Sequence, residues 1–237
     1  MLRLTSCLAV VVVLVGTGPG MVRASRIDNA LRHTGYHVEP GSNMDLNNNG
    51  GLMAMTPYGT ALLTDGPGGR GLDFDEDRDF IDTGAIGQND YFTNLFFGYY
   101  NVSAATAGIH EFRDAEDDDR CGIWLDLNQD GVFESSTPGL GSDRGEQLRW
   151  EDKNTKSVFL DPGIYMFAVT HGERYGGSRV DVRFRDPTMS GQVTIKPSDP
   201  AQAGIWSTHV IPEPSTFILL TMGAIGLLAY GWRRRRL

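Results

Sequence analysis

Oxygen ligands dominate the chemistry this sequence can offer. In Asp126-Leu127-Asn128-Gln129-Asp130-Gly131, oxygen-bearing side chains occupy positions 1, 3 and 5 and glycine occupies position 6, the spacing of a calcium-binding loop. The twelfth position is Thr137 where an EF-hand requires a bidentate glutamate, so a complete EF-hand is excluded, although Glu134 could close a shorter loop. The same residues admit a second reading. Asp130-Gly131 is a strong turn signal for a hairpin between strands ending near Leu127 and starting near Val132. Asp126, Asn128 and Asp130 are therefore either metal ligands or turn formers. A further stretch, Asp73 to Asp82, carries six acids around Phe74, Phe80 and Ile81 and reads as a solvated acidic loop or as a calcium site.

Other chemistry is poorly represented. No Gly-x-Ser-x-Gly elbow, His-Glu-x-x-His pair or phosphate loop occurs, and the carboxylates are too numerous to single out a glycosidase pair, so an enzyme is not expected. His33 and His37 lie four apart, but no helical apolar stripe surrounds them, and metal binding by this pair is not expected. Cys121 has no obvious activating partner and reads as a small hydrophobe in a strand. Asn101-Val102-Ser103 matches a glycosylation acceptor, a triplet that also arises often by chance.

The elements that must position these residues read as strands. Arg179 to Arg185 alternates charged and apolar residues, with Val180, Val182 and Phe184 on one face, the period-2 mark of a half-buried strand. Gly163 to Val169 is apolar on both sides and follows the turn signal Asp161-Pro162-Gly163, which predicts a central, doubly covered strand. Ile123, Leu125 and Leu127 form another alternating set. Between the two ends of the chain, apolar residues never recur at helical spacing for three turns, and thirty glycines with eleven prolines punctuate the chain. The expected fold is all-β, an antiparallel β-sandwich or barrel, flanked by an N-terminal signal helix and a C-terminal single transmembrane helix.

At the N-terminus, Arg3, the apolar run Leu8 to Val15 and the small-residue site Val22-Arg23-Ala24 predict a cleavable signal peptide over residues 1–24, the run being too short to span a membrane. At the C-terminus, Phe217 to Trp232 is apolar or small throughout, and Arg233, Arg234, Arg235 and Arg236 follow at once. Sixteen residues span about 24 Å as a helix, a marginal anchor, and the arginines are expected to stay cytoplasmic. The stretch between, residues 25–214, holds all thirty acids and fifteen basic residues, a formal charge of −15. Nucleic acid is excluded as a partner on that balance, which suits cations or a solvated acidic face. With Cys121 its single cysteine, this stretch is expected to hold together without an internal disulfide.

Ahead of the apolar tail stands Ile211-Pro212-Glu213-Pro214, and core, helix and arginine cluster together resemble the PEP-CTERM sorting signal. The two prolines disfavour helix, which leaves the motif extended and open to a processing enzyme. The resemblance implies recognition by an exosortase, loss of the membrane tail, and delivery to the cell surface or an extracellular polysaccharide matrix.

Two further stretches together resemble the protective-antigen-type β-barrel module of flocculins and toxins. The first runs through Gly98-Tyr99-Tyr100, Ala107 to Arg113, Glu116-Asp117-Asp118 and Ile123-Trp124-Leu125-Asp126; the second through Leu160 to Tyr165, His171 to Gly177 and the alternating strand to Phe184. Gly51-Leu52-Met53-Ala54 matches the family's opening strand. The match covers roughly residues 50–187 and leaves residues 25–49 as an irregular N-terminal segment, 188–210 as an extension and linker, and 211–237 as the sorting signal. Asp119 stands where the family has glycine after its aspartate pair, and Arg120-Cys121-Gly122 is one residue longer than usual.

In sugar-binding members two adjacent aspartates joined by a cis peptide hold calcium, which in turn takes vicinal sugar hydroxyls. The resemblance carries that role to Asp117 and Asp118, with Glu173 near a further ligand position; a water-exposed acidic turn is the other reading of the pair. Three functions follow: a non-catalytic, calcium-using carbohydrate-binding module, a structural or adhesive surface protein without a sugar pocket, and a polysaccharide-acting enzyme with an unrecognised acid pair. The first is preferred.

Overall fold

Burial of apolar strand faces builds two packed sheets. The computed structural model describes residues 29–38, 46, 52–133, 146–150 and 155–209; the signal, the sorting motif and the membrane segment predicted from sequence lie outside them. Among the described residues no helix is long and apolar enough to cross a membrane.

The larger sheet contains β1 (Leu31–Tyr36), β2 (Gly59–Leu63), β4 (Phe92–Val102), β6 (Arg120–Leu125), β7 (Gln147–Trp150), β9 (Gly163–Glu173) and β12 (Trp206–Ser207). Its order is β2-β1-β4-β9-β6-β7, with β12 also on β4. The smaller sheet contains β3 (Asp73–Phe74), β5 (Gly108–Asp118), β8 (Thr155–Leu160), β10 (Arg179–Arg185) and β11 (Val193–Thr194), in the order β11-β10-β5-β8 with β3 also on β10. Every pairing is antiparallel. One short helix, α1 (Asp77–Asp82), stands between β3 and β4. The chain is all-β, as its alternation implied.

Val180, Val182 and Phe184 of β10 are fully buried, and β9 is the central strand its double-sided apolar pattern implied, flanked by β4 and β6. Phe167 and Val169 of β9 enter the core between the sheets, whereas Ala168 faces a smaller cluster with Tyr36, Leu52, Leu95, Trp124 and Phe133. Both faces of the larger sheet are thus covered, which explains why β6 buries every residue from Cys121 to Leu125.

Four expectations need correction. The first strand is β1, inside the segment read as irregular; its alternation is masked because His33 and Thr34 are polar yet buried. Leu52–Ala54 is a 3-10 turn and not an opening strand. Among the described residues no strand starts near Val132: β6 pairs with β7, which begins at Gln147, and the carboxylate of Asp126 accepts from the Gly131 N–H to close a turn. Residues 188–209 are no loose linker. Ile195 and Trp206 are fully buried, and the Trp206 ring lies 4.8 Å from Tyr100 and 5.0 Å from both Phe167 and Phe184, centroid to centroid. Gly98 makes room for β12, since a Cβ there would stand 2.7 Å from the Ser207 carbonyl oxygen.

Trp206→Ala is expected to cost about 3–5 kcal/mol by opening a cavity among aromatic rings, while Val193→Ala on exposed β11 should stay within about 0.5 kcal/mol. Urea unfolding of the two variants checks both.

A candidate cation site where the strands change sheets

Three connections cross from one sheet to the other at the same end of the molecule. Asp119 joins β5 to β6, residues 174–178 join β9 to β10, and α1 with its following loop joins β3 to β4. Each brings acids: Asp118 and Asp119 on the first, Asp77 and Asp90 on the third, and Glu173 at the last position of β9.

Glu173 is fully buried, and among the described residues neither of its carboxylate oxygens has a hydrogen-bond partner. An ionised carboxylate in such a place is costly. Burial, reinforced by the negative charges of Asp119, Asp118, Asp77 and Asp90, raises its pKa from 4.5 to about 8. Backbone bonds tie the neighbouring turn to it. The Asp119 N–H donates to the Gly172 carbonyl at 3.2 Å, and the Arg174 N–H donates to Asp119 Oδ2 at 2.8 Å. Across the seam, the Ser178 N–H donates to Asp77 Oδ1 at 3.0 Å, and its hydroxyl donates to the same oxygen. Beside the turn, Asp75, Glu116, Asp117, Asp118, Gly177, Ser178 and Arg179 line a cleft of about 240 Å³, where Arg179 donates to Glu116 at 2.9 Å.

The non-proline cis peptide lies one residue beyond the pair to which the resemblance points. Asp117 and Asp118 both belong to the β5 ladder, opposite Val180 and Arg179. Successive strand residues point to opposite faces, so Asp117 is half-buried while Asp118 is exposed. The non-proline cis peptide joins Asp118 to Asp119. Upstream, β5 carries a register shift in which Asp181 pairs with Glu116 and Val182 with Asp114, leaving Ala115 unpaired as a bulge.

A chain of buried hydrogen bonds holds the Asp118 carbonyl from beneath. His33 Nε2 lies 2.8 Å from Asn94 Oδ1, Asn94 Nδ2 lies 3.0 Å from His171 Nδ1, and His171 Nε2 lies 2.8 Å from the Asp118 carbonyl oxygen. A carbonyl accepts only, so His171 Nε2 carries its proton and Nδ1 accepts from the Asn94 amide. His33 Nε2 then donates to Asn94 Oδ1. Both rings are neutral in this arrangement, in keeping with burial lowering the pKa of each to about 4.

The loop Asp126, Asn128, Asp130 lies at the other end. Arg120 pairs with Gly172 but Leu125 with Phe167, so Asp126 leaves β6 away from Glu173. Its oxygens serve the turn: Asp126 Oδ2 accepts from the Gly131 N–H at 2.9 Å, Asn128 Oδ1 from the Asp130 N–H at 2.9 Å, and Asp130 Oδ1 from the Val132 N–H at 2.9 Å. Glu146, twenty residues downstream of Asp126, accepts from the Leu127 N–H at 3.0 Å, a contribution no local spacing could reveal. Of the acids from Asp73 to Asp82, three gather around one arginine. Arg70 sits within 3.9 Å of Asp73 and 3.4 Å of Asp75 and pairs closely with Asp79. Cys121 is buried, and burial with the nearby Asp114 and Asp117 pushes its thiol well above the usual range, which leaves it inert.

Among the described residues, no three carboxylate, imidazole or thiol groups already converge as a metal cluster. Asp118 and Asp119 are the exposed carboxylates of the turn nearest Glu173 in the ladder.

Residues 210–236 match the model of the PEP-CTERM protein-sorting motif, which marks the chain as an exported surface protein held at the membrane before processing. No curated protein matches the sequence. Among solved structures, the fold is similar to the A domain of Epithelial Adhesin 9 from Candida glabrata in complex with Galβ1-4GlcNAc, at 12% identity and a TM-score of 0.49, covering 78% of this chain and 91% of the adhesin domain. It is also similar to the PA14 domain of the MpAFP antifreeze protein, at 13% identity and a TM-score of 0.45 over 78% and 94% of the two chains. A PA14 sugar-binding domain from an RTX adhesin matches at 12% identity and a TM-score of 0.44, over 76% and 98%.

Because its folded pKa is raised, metal-free Glu173 contributes stability that is fully present below pH 4.5 and lost as pH rises through about 8. Glu173→Gln removes that loss and is expected to stabilise the metal-free protein at pH 8 by on the order of 2–4 kcal/mol, with little effect at pH 4.5. The lowered pKa values of His33 and His171 act oppositely, removing stability as pH falls from 6.5 toward 4, and are common to both proteins. The difference between two urea-unfolding series isolates the carboxylate, and a difference that does not vary with pH would contradict this account.

Proposed function

We propose that the domain is a non-catalytic carbohydrate-binding module that uses calcium at the seam between its sheets. On this reading the chain is processed by an exosortase and displayed at the cell surface or in an extracellular polysaccharide matrix. The observation that carries the reading is the buried, unpartnered carboxylate of Glu173, with Asp118 and Asp119 on the turn beside it. Mutual repulsion of these acids is relieved by a divalent cation more completely than by protonation of one of them.

Asp118, Asp119 and Glu173 are the residues proposed to hold the ion. Calcium prefers six to eight hard oxygens, and when bound it would offer the positions left open by protein to paired sugar hydroxyls. The protein's own part is to fix the turn: the His33–Asn94–His171 chain holds the Asp118 carbonyl, and Asp119 is bonded to the backbone on both sides of Glu173. Asp126, Asn128 and Asp130 are assigned to turn formation. The sorting motif supports display outside the cell, and a matrix-retained glycan binder accords with a domain charge of −15, which keeps it soluble among neutral polymers.

A second reading rests on the same buried carboxylate, which calls for a cation and not for a sugar: a structural or adhesive domain that calcium stiffens without any sugar being bound. Calorimetry separates the two. Calcium is expected to bind the wild-type domain and to bind Asp119→Asn at least about tenfold more weakly. Neutral monosaccharides should then bind only when calcium is present. Calcium binding with no sugar response would establish the second reading, and sugar affinity unchanged by chelator would refute the role given to the ion.

A further inference from the structure

Of the described tyrosines, three are exposed: Tyr58 (57%), Tyr91 (49%) and Tyr175 (71%). All three lie at the end that carries Glu173, although they come from three different connections. Tyr36 pairs with Thr93, and Thr93 with Gly172. β1 and β9 run in the same direction, so His37 and Glu173 extend past the same edge, two strand spacings or about 10 Å apart.

Tyr58 is held rigidly above that edge. Its ring stacks on His37, with centroids 3.8 Å apart and planes at 23°. Its backbone N–H donates to the Gly35 carbonyl at 2.7 Å. Beneath it passes the loop from Gly84 to Tyr91, which lies on a bare patch made by the paired glycines Gly35 and Gly59: a Cβ at Gly35 would stand 2.1 Å from the Ala85 carbonyl oxygen, and one at Gly59 would stand 2.7 Å from the Gly84 carbonyl oxygen. Gly87 is under the same constraint, since its Cβ would meet the Tyr58 hydroxyl at 2.3 Å.

The same loop reaches the candidate cation site. Its Gly87 N–H donates to His37 Nε2 at 3.2 Å, and its Tyr91 N–H donates to the Arg174 carbonyl at 3.0 Å. Tyr91 has φ 55°, a left-handed conformation unusual for a non-glycine residue, and Gln88 braces it by donating to the carbonyls of Asp90 and Tyr91, each at 2.7 Å. One bonded loop therefore runs from the Tyr58 stack to the residues beside Glu173.

We propose that the His37–Tyr58 stack and Tyr91 form a contact track for a neutral glycan chain several sugar rings long, continuous with the site at Asp118, Asp119 and Glu173. The inference rests on the carbohydrate reading above and adds that the ligand is a chain and not a single sugar. Tyrosine presents a flat apolar ring together with a hydroxyl, which matches the apolar faces and hydroxyl rims of pyranoses better than an aliphatic protein surface. The Tyr58 ring is held by its stack on His37 and the Tyr91 backbone by its bonds to Arg174 and Gln88, so less conformational freedom is lost on binding than from an unbraced loop. The many carboxylates of this end disfavour an anionic polymer.

The test uses the domain in millimolar calcium with β-linked glucose, galactose and N-acetylglucosamine oligomers of one to six rings. Affinity is expected to rise with length, and Tyr58→Ala combined with Tyr91→Ala should return the longer oligomers to single-sugar affinity, a loss of about two- to tenfold per ring contact. Tyr58→Phe, which keeps the stack, should retain most of the gain. Calcium affinity measured without sugar is expected to be unchanged in the alanine variants, which separates loss of the track from loss of the fold. An absence of gain with length, or a gain that survives both alanine substitutions, overturns the track. Tyrosine-dependent, length-dependent binding that ignores chelator keeps the track and sinks the cation reading, whereas failure of every oligomer to bind sinks both.

Discussion

Everything at the acidic end depends on β9 being trapped in the middle of its sheet. The strand pairs with β4 from Gly163 to Glu173 and with β6 from Phe167 to Gly172, and side chains on both of its faces are buried. A strand so held cannot rotate its last residue outward. Glu173 therefore stays in a place that water does not reach, and the turn that carries Asp118 and Asp119 is built around it. The stability of the core and the electrostatic tension of the site are two results of the same packing.

Buried polar groups elsewhere serve the same arrangement. Asn94 of β4 can satisfy His33 and His171 only in one orientation, and that orientation leaves His171 with a proton to give to the Asp118 carbonyl. His171 also lies flat against Phe80 of α1, with centroids 4.7 Å apart and planes at 7°, while His33 stacks on Phe96 at 4.4 Å. The polar chain is thus embedded in an aromatic layer that excludes water from it, and hydrogen bonds in such surroundings are strong and expensive to break. The turn that carries the two aspartates is fastened to the interior of the sandwich as well as to its own strands.

Much of this was legible in the residues, wherever one physical effect acted alone. Simple alternation announced β10, and a two-sided apolar run announced β9. The strand β1 was hidden because hydrogen-bonded histidine and threonine occupy buried positions where a pattern reader looks for aliphatic residues. The cis peptide falls between Asp118 and Asp119, and a run of three aspartates carries no signal of which bond takes that form. Trp206 could not be assigned to the core from a segment rich in proline, serine and glycine. Glu173 was visible only through a resemblance. Its burial, which gives it interest, depends on strands some eighty residues away in the chain.

The small strand β12 has a mechanical meaning. It lies on the same side of β4 as β1: Ser207 pairs with Tyr99 and Arg32 with Phe97, and the Gly204 N–H reaches Asn29 at 3.1 Å. The described chain therefore enters and leaves the sandwich at neighbouring points on one flank, roughly 20 Å along β4 from the level of Glu173. Tension transmitted through either end would fall first on the short ladders against β4 and not on the loops that carry Asp119 and Tyr58. The acidic, tyrosine-bearing edge stands clear of both of those points.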